Sequence, residues 1–216
     1  MATKQLTNPA AFFADLKADL MGPTLSPTEV SATNAIVKAV GDAGWPLSWA
    51  AYALGTAFHE TAHTMLPVTE ANWLSPQAAA RYFFRMYDKD GQRPKKAKEL
   101  GNTQPGDGAR YCGRGYVQLT GRTNYRNAGQ KLGVDLEGQP ELTLQPEIAA
   151  QVMVLGMGGG WFTGKSCKHY LPSTDAACDS SGFRRARYII NGQDKAVDIA
   201  AYALKFQKSL QAGGWA

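Results

Sequence analysis

Residues 49–65 read WAAYALGTAFHETAHTM and join an apolar helical pattern to the first cluster of reactive side chains. The apolar stripe repeats at three- and four-residue intervals, at Ala50, Leu54, Ala57 and Phe58. This spacing puts side chains on one face of an α-helix, and an apolar face is expected to turn towards the core. We therefore predict a buried helix that starts at Ser48 and continues until Pro67, where a proline ends the pattern.

Capping residues predict further helices on both sides of this one. Asn8 precedes Pro9, Ser75 precedes Pro76, and residues 26–29 (SPTE) form a capping box. The predicted helices cover residues 10–20, 30–44, 77–89, 123–132, 145–156 and 194–210. Between them, residues 101–115 (GNTQPGDGARYCGRG) predict a loop, with a short strand at Tyr116–Leu119. The pattern indicates one mainly α-helical domain over residues 1–216 with a long, functional central loop.

Composition narrows the classes of protein that fit. Hydrophobic residues make up 44% of the 216 residues, no apolar run is long enough for a membrane span, and the opening residues lack a secretory signal pattern. We expect a cytoplasmic origin and no stable membrane insertion. The net charge of +5 favours a polyanionic partner, but no nucleic-acid-binding motif accompanies it. Three cysteines without CxxC spacing predict neither a disulfide framework nor a thiolate zinc site, although Cys167 and Cys178 leave one pairing open.

Residues 59–63 (HETAH) match the HExxH pattern of zinc peptidases. On a helix, His59 and His63 would lie one turn apart on one face, and Glu60 would serve as the general base. The third ligand is the difficulty, because the only other histidine, His169, lies more than a hundred residues away. Asp88 or Glu99 could serve, but neither lies in a supporting motif. We therefore predict no metal and no cofactor, and keep a zinc metallopeptidase as the alternative of another class.

The hypothesis that needs no metal is a glycosidase that uses the carboxyl groups of Glu60 and Glu70 as a pair. Inverting glycosidases hold two such groups about 6.5–9.5 Å apart, so that a water fits between the base and the sugar. Pro67 ends the helix between the two residues, so Glu70 can fold back towards Glu60. Glu60, at the end of an apolar helix, is expected to act as the proton donor, and Glu70, in a loop, as the base that activates water.

Three separated motifs carry a resemblance to glycoside hydrolase family 19, which includes plant-type chitinases and many bacteriophage endolysins. The first is Phe58-His59-Glu60-Thr61, similar to the family's HET or HES on a helix. The second is residues 111–120 (YCGRGYVQLT), followed by Asn124-Tyr125, and the third is residues 189–192 (IING). Cys112 and Gln193 depart from the family pattern. The short segment between the two glutamates and the missing cysteine framework point to the phage and bacterial wall-lytic branch.

The resemblance implies a role for each matching residue. Glu60 would be the general acid, Glu70 the general base, and Thr120 the residue that holds the nucleophilic water. The residues expected to bind substrate are Tyr111, Gln118, Asn124, Arg187 and Asn191. Arg187 would order the site or meet an acidic substrate group, whereas Asn191 would equally suit a turn. Trp73 and Trp161 are expected in the core rather than against sugars.

The resemblance also implies an architecture and a setting. The fold would be lysozyme-like, with two helical lobes flanking a substrate cleft. The protein would be a monomeric endolysin that cleaves β-1,4 bonds in peptidoglycan glycan strands, with chitin as the alternative substrate. It would remain in the host bacterial cytoplasm until a holin releases it to the cell wall.

Overall fold

The computed structural model describes residues 2–216, which form ten α-helices and two short strands. The helices are α1 Pro9–Leu16, α2 Pro27–Asp42, α3 Leu47–Glu60, α4 Pro76–Tyr87, α5 Pro94–Glu99, α6 Asp107–Arg110, α7 Arg122–Leu132, α8 Pro146–Gly159, α9 Ser180–Ala186 and α10 Ala196–Ala212. The strands are β1 Val68–Thr69 and β2 Arg114–Gly115. A π-helical turn follows α1 at Lys17–Met21, and 3-10 turns lie at Pro140–Leu144, Cys167–His169 and Arg187–Ile189. The predicted mainly α class is confirmed.

The chain divides into two compact units. Unit 1 contains the residues up to Leu66 and those from Met153 onward, and unit 2 is the continuous segment Pro67–Val152. Glu60 and Glu70 therefore belong to different units. The prediction of one catalytic domain over the whole chain stays a prediction.

The predicted helix caps are confirmed. Asn8 Oδ1 accepts from the amide of Ala11 at 3.1 Å. Ser26 forms the reciprocal capping box with Glu29, and Ser75 Oγ accepts from the amide of Ala78 at 3.3 Å. These bonds satisfy amide groups that the first turn of a helix leaves without partners, so each helix begins where its capping residue stands.

Unit 1 is organised around α3, whose residues Leu47–Phe58 are all buried. Helix α10 packs along it, and Gly55 permits the close approach. A Cβ at Gly55 would lie 2.8 Å from the Ala203 amide nitrogen, a distance that a larger residue could not keep. The predicted inward stripe is thus buried, and the remaining faces of α3 are covered as well.

The end of α3 corrects the sequence prediction, since the helix stops at Glu60 rather than before Pro67. The amide of His63 donates to Phe58 O at 2.8 Å, and that of Ala62 to His59 O at 3.3 Å. Ala62 has a φ of +49°, so the turn is a Schellman motif, which closes a helix with a left-handed residue. His63 stacks on Phe58 with ring centroids 4.5 Å apart, the apolar contact that accompanies this motif.

Unit 2 contains the small antiparallel sheet, in which Val68 pairs with Gly115 and Thr69 with Arg114. The strand predicted at Tyr116–Leu119 is wrong: these residues form the turn after β2, and only Leu119 returns to bridge Arg114. Gly115 and Gln118 both have positive φ, at +86° and +53°. The two left-handed residues close the loop tightly, so the chain cannot extend between them.

Two further features bear on the composition-based expectations. The cysteines Cys112, Cys167 and Cys178 are all free and buried. Among the helices of residues 2–216, none has the length and apolar character to cross a membrane.

Candidate functional site

Glu60 is the last residue of α3, and its carboxylate pairs with Arg187. Arg187 Nη1 donates to Glu60 Oε1 at 2.9 Å, while its Nε donates to the carbonyl of Asp194 at 3.0 Å. The arginine side chain is only 4% exposed, against 22% for the glutamate. A buried, doubly held cation therefore fixes one carboxylate oxygen of Glu60, which is the ordering role predicted for Arg187.

The two histidines of the HExxH pattern do not share a helical face, because α3 ends between them. His63 Nε2 lies 3.1 Å from the hydroxyl of Tyr202, on α10. Burial lowers the pKa of His59 below its usual value, which favours a neutral imidazole there. Within residues 2–216 no group of three His, Cys, Asp or Glu side chains is arranged to hold a metal ion. The geometry that a zinc peptidase needs from this motif is therefore not formed.

A stripe of buried polar atoms runs along α3 towards Glu60. Tyr52 Oη, Thr56 Oγ1 and His59 Nδ1 are enclosed and have no hydrogen-bond partner among the protein atoms of residues 2–216. Burial also raises the pKa of Tyr52, so its hydroxyl remains protonated. Buried polar groups of this kind are normally satisfied, often by an internal water.

Glu70 lies in unit 2 and is held by three uncharged donors. The hydroxyls of Tyr82 and Tyr87, both on α4, donate to its Oε1 at 2.9 and 2.8 Å. The amide of Gly113 donates to Oε2 at 3.3 Å. Burial, and then the hydrogen bond to Glu70, raise the pKa of both tyrosines, so both remain donors at any working pH. Oε1 is therefore saturated, whereas Oε2 has one long contact.

The space in front of Gly113 collects three oxygen atoms. A Cβ built at this glycine would lie 2.8 Å from Gln118 Oε1, 2.9 Å from Glu70 Oε2 and 3.2 Å from Thr120 Oγ1. Only the absence of a side chain leaves room there. The φ of Gly113 is not positive, so the backbone itself does not require glycine. The residue is needed for the space, not for the turn.

Thr120 and Gln118 are each oriented by hydrogen bonds of their own. Thr120 Oγ1 donates to the carbonyl of Gln118 at 2.8 Å, which leaves its lone pairs free to accept. Gln118 Nε2 donates to the carbonyls of Val68 and Gly115, both at 3.2 Å. Its Oε1 is therefore the atom that faces the Gly113 space. Asn124 Nδ2 donates to the carbonyl of Thr120 at 2.6 Å, so Asn124 supports this loop.

Tyr111 is not brought to this space. It is 1% exposed, its hydroxyl donates to the carbonyl of Glu137 at 3.1 Å, and the Arg122 guanidinium lies 4.8 Å from its ring centre. With both the ring and the hydroxyl engaged inside unit 2, no exposed face remains for the sugar contact predicted from the sequence. Arg114 is also engaged internally, since its Nη1 donates to the carbonyl of Arg110 at 2.9 Å and to the Tyr125 hydroxyl at 3.1 Å.

Asn191 lies in unit 1, exposed, with its Oδ1 accepting from the amide of Gly192 at 2.8 Å. That bond is the turn role that the sequence left open. The predicted site residues thus separate into Glu60 with Arg187 in unit 1, and Glu70, Gln118, Thr120 and Asn124 in unit 2. Tyr82, Tyr87 and Gly113 complete the second set; the two tyrosines were not found from the sequence, and Gly113 belongs to the second motif but was given no site role there.

Comparison with known proteins points to one family. The family model described as Chitinase class I matches residues 31–194. Chitinase 8 of Oryza sativa subsp. japonica is 32% identical over 122 residues, which are 48% of this chain and 46% of the rice protein. The acidic 27 kDa endochitinase of Solanum lycopersicum is 35% identical over 98 residues, 39% of this chain and 38% of the tomato protein. The chain thus matches less than half of the length of these two relatives.

Solved structures share the fold. Chitinase C from Streptomyces griseus HUT6037 is similar with a TM-score of 0.50 and 21% identity, over 93% of this chain and 68% of that one. A bacterial family 19 chitinase is similar with a TM-score of 0.57 and 23% identity, over 93% of both chains. These likenesses confirm the predicted lysozyme-like, mainly α fold.

Proposed function

We propose that this chain, which belongs to the Chitinase class I family (glycoside hydrolase family 19), hydrolyses β-1,4 glycosidic bonds in bacterial peptidoglycan. The bond is cleaved with inversion at the anomeric carbon. Glu60 acts as the acid and Glu70 as the base. Thr120 and Gln118 hold the attacking water.

The observation that carries this proposal is the convergence of Glu70 Oε2, Thr120 Oγ1 and Gln118 Oε1 on the space in front of Gly113. A water there would donate one hydrogen to Glu70 Oε2 and the other to Gln118 Oε1 or Thr120 Oγ1, because all three oxygens face it as acceptors. Oε2 is free to take a proton because the tyrosine hydroxyls occupy Oε1 instead. A carboxylate beside two oriented oxygens is the arrangement that general-base activation of water needs.

Glu60 supplies the other half of the proposed reaction. A neutral carboxyl group can accept from Arg187 at Oε1 while carrying its proton on Oε2. That proton passes to the glycosidic oxygen as the bond from the anomeric carbon to this oxygen breaks. The water oxygen bonds to the anomeric carbon, and its proton passes to Glu70. One carboxyl has lost a proton and the other has gained one, as an inverting reaction requires.

The choice of peptidoglycan is supported by charge. The chain has a net charge of +5, and a polyanionic cell wall attracts such a protein more than a neutral polymer does. Chitin is the second candidate, because both curated relatives are named as chitinases. The endolysin role, the monomeric state and release from a host cytoplasm through a holin belong to the same proposal.

Mass analysis of fragments from purified peptidoglycan and from chitin, each with and without a chelator, tests the reaction class. We expect new reducing ends on one sugar type of peptidoglycan, unaffected by the chelator. Cleavage of peptide cross-links that the chelator abolishes would support the zinc peptidase instead. Release of soluble fragments from chitin alone would replace the proposed substrate but keep the reaction.

A further inference from the structure

Unit 2 carries a groove beside Glu70 to which neither the sequence motifs nor the proposed chemistry assigns a role. It has a volume of about 910 Å³ and lies between helix α4 and the segment that follows Glu70. Ala71, the next residue in the chain, lines it, and so does Tyr82, whose hydroxyl donates to Glu70 at 2.9 Å. An occupant of the groove would therefore lie next to the proposed base.

Two aromatic side chains face the solvent at this groove. Trp73 is 79% exposed and Phe84 is 48% exposed, and both line it. The sequence placed Trp73 in the core, and the structure corrects this. An indole ring that is left in water costs free energy unless a ligand covers it, and exposed aromatic clusters at concave surfaces mark binding sites. A flat apolar ring also matches the apolar face of a pyranose.

Two cations complete the lining. Arg81 and Arg85 are one helical turn apart on the exposed face of α4, and no Asp or Glu of the described part of the chain lines the groove. Across residues 2–216, neither guanidinium has a hydrogen bond or ion pair with the protein. An arginine without a protein partner can bind a carboxylate with two parallel hydrogen bonds. Arg187 was predicted to meet an acidic substrate group, but it is engaged by Glu60, which leaves Arg81 and Arg85 for that role.

We propose that the groove formed by Trp73, Phe84, Arg81 and Arg85 binds a carboxylate-bearing segment of the glycan, next to the bond that is cut. Trp73 covers a sugar face, and the two arginines bind carboxylates of the sugar substituents or of a peptide attached to them. This inference rests on the proposed function, and it names the acidic, peptide-substituted glycan rather than neutral chitin as the substrate class. A flat lipid surface fits less well, because the groove is concave.

The test measures binding rather than cleavage, so that its failure differs from a failure of the proposed reaction. All proteins carry Glu60→Gln to prevent turnover. Sedimentation with insoluble peptidoglycan gives an affinity, and the same wall with its carboxylates converted to amides gives a second one. Chitin and vesicles of phosphatidylglycerol provide two further surfaces.

The double change Arg81→Gln/Arg85→Gln should weaken binding to native wall about tenfold, as expected for two partly exposed ion pairs, and should leave binding to amidated wall unchanged. The matched control is Lys95→Gln/Lys98→Gln on α5, which removes the same charge from an exposed helix outside the groove. It should change binding to native wall by less than about twofold, since its effect is only long-range and screened by salt.

Trp73→Ala separates stacking from charge. It should weaken binding to native and to amidated wall by the same factor, because the ring contacts sugar and not carboxylates. The proposal is overturned if the arginine variant binds native wall as tightly as the control does, or if it loses equal affinity for both walls. Stronger binding to the anionic vesicles than to native wall would overturn it in favour of a membrane surface.

If the protein that retains Glu60 did not cleave glycosidic bonds, but the binding results were as expected, the proposed reaction would be wrong and the groove proposal would stand. Circular dichroism of each variant excludes unfolding as the cause, and the five positions changed in the groove and control variants are exposed, so the fold should tolerate these changes.

Discussion

The surroundings of Glu60 and Glu70 differ in kind, although both residues have the same side chain. Glu60 meets one buried cation, Arg187, and lies at the end of a helix whose polar stripe contains unpartnered atoms. Among residues 2–216, Glu70 pairs with no cation, and two phenols and one amide hold it. A single charged partner fixes one oxygen and leaves the other to carry or lose a proton. Several neutral donors fix the carboxylate in place and direct one oxygen at a defined space.

This contrast assigns different catalytic roles to the two residues, and substitutions of the residues and of the groups around them test those roles. The largest effect is expected from Glu60→Gln and Glu70→Gln. Each should lower kcat about 10²- to 10⁴-fold, the usual contribution of a general acid or base. Glu141→Gln, at an exposed position in unit 2, is the matched control and should keep full activity. Steady-state cleavage of soluble glycan fragments measures all three.

A variant at Glu60 or Glu70 that retains wild-type kcat would remove that residue from the reaction. Equal thermal unfolding of the variants and the parent protein keeps the comparison free of stability effects.

Gly113→Ala should have the next largest effect, because its methyl group would occupy the space faced by Glu70, Gln118 and Thr120. Two of the crowded atoms are the ends of flexible side chains, so the fold should survive while the oxygens move apart. A displacement of about 1 Å in a reacting geometry costs about 10²-fold in rate. Gly158→Ala, which meets only one atom at 3.5 Å, is the matched control.

If Gly113→Ala and Gly158→Ala cleaved substrate equally well, the Gly113 space would not contain the reacting water. A fall in the unfolding temperature of Gly113→Ala alone would show that the glycine supports the fold instead.

Tyr87→Phe and Tyr82→Phe should each have a smaller effect. Each removes one donor from Glu70 Oε1 and leaves the ring in place. Hydrogen bonds to a charged group contribute about 1.5–3 kcal/mol, so each change should lower kcat about tenfold and leave KM nearly unchanged. Tyr188→Phe, at an exposed tyrosine of unit 1, serves as the control. A change confined to KM would mean that the phenols contact substrate and do not orient the base.

The smallest effect is expected at a third carboxylate, that of Glu137. Arginine side chains bind it, as Arg187 binds the carboxylate of Glu60. Its hydrogen bond with Arg126, and then that with Arg122, lower its pKa to about 2. Because the folded-state pKa is depressed, its stabilisation is fully present above the ordinary pKa of 4.5 and is lost as the pH falls towards 2.

Urea unfolding should therefore show Glu137→Gln less stable than the parent at pH 7, by about 1 kcal/mol for partly exposed pairs, and nearly equal to it at pH 2. Activity should not change. A stability difference that persists at pH 2 would mean that packing, rather than the ion pairs, accounts for it.

The helix starts and the motif positions of the site could be predicted from the sequence. Helix starts follow from local chemistry, so Asn8, Ser26 and Ser75 cap helices where expected. The motif positions Glu60, Glu70 and Thr120 remain the proposed catalytic set. Their surroundings were less accessible, because they depend on contacts between distant residues.

The end of α3 shows why a local pattern failed. The apolar periodicity continues past Glu60, but Thr61 Oγ1 donates to the carbonyl of Ala57 at 2.8 Å and accepts from the amide of Met65 at 3.0 Å. That hydroxyl and the left-handed Ala62 end the helix without any proline or glycine. Propensity does not reveal such a stop, and it is this stop that separates the two histidines.

Tyr82 and Tyr87 show a second kind of failure. They lie 12 and 17 residues after Glu70, on a helix whose orientation the sequence does not specify. Trp73 was assigned to the core because large aromatic residues are usually buried, yet tertiary structure leaves it exposed. Both errors concern which face of an element meets the site.

Proton NMR of the anomeric centre during cleavage tests most directly whether a water attacks the anomeric carbon directly, as the acid role of Glu60 and the base role of Glu70 require. A soluble β-1,4-linked fragment is cleaved in the spectrometer, and the anomer that forms first is recorded before mutarotation mixes the two. We predict that the α-anomer appears first, since the water attacks the face opposite the leaving group. Initial formation of the β-anomer would mean a covalent intermediate and would contradict the roles given to Glu60 and Glu70.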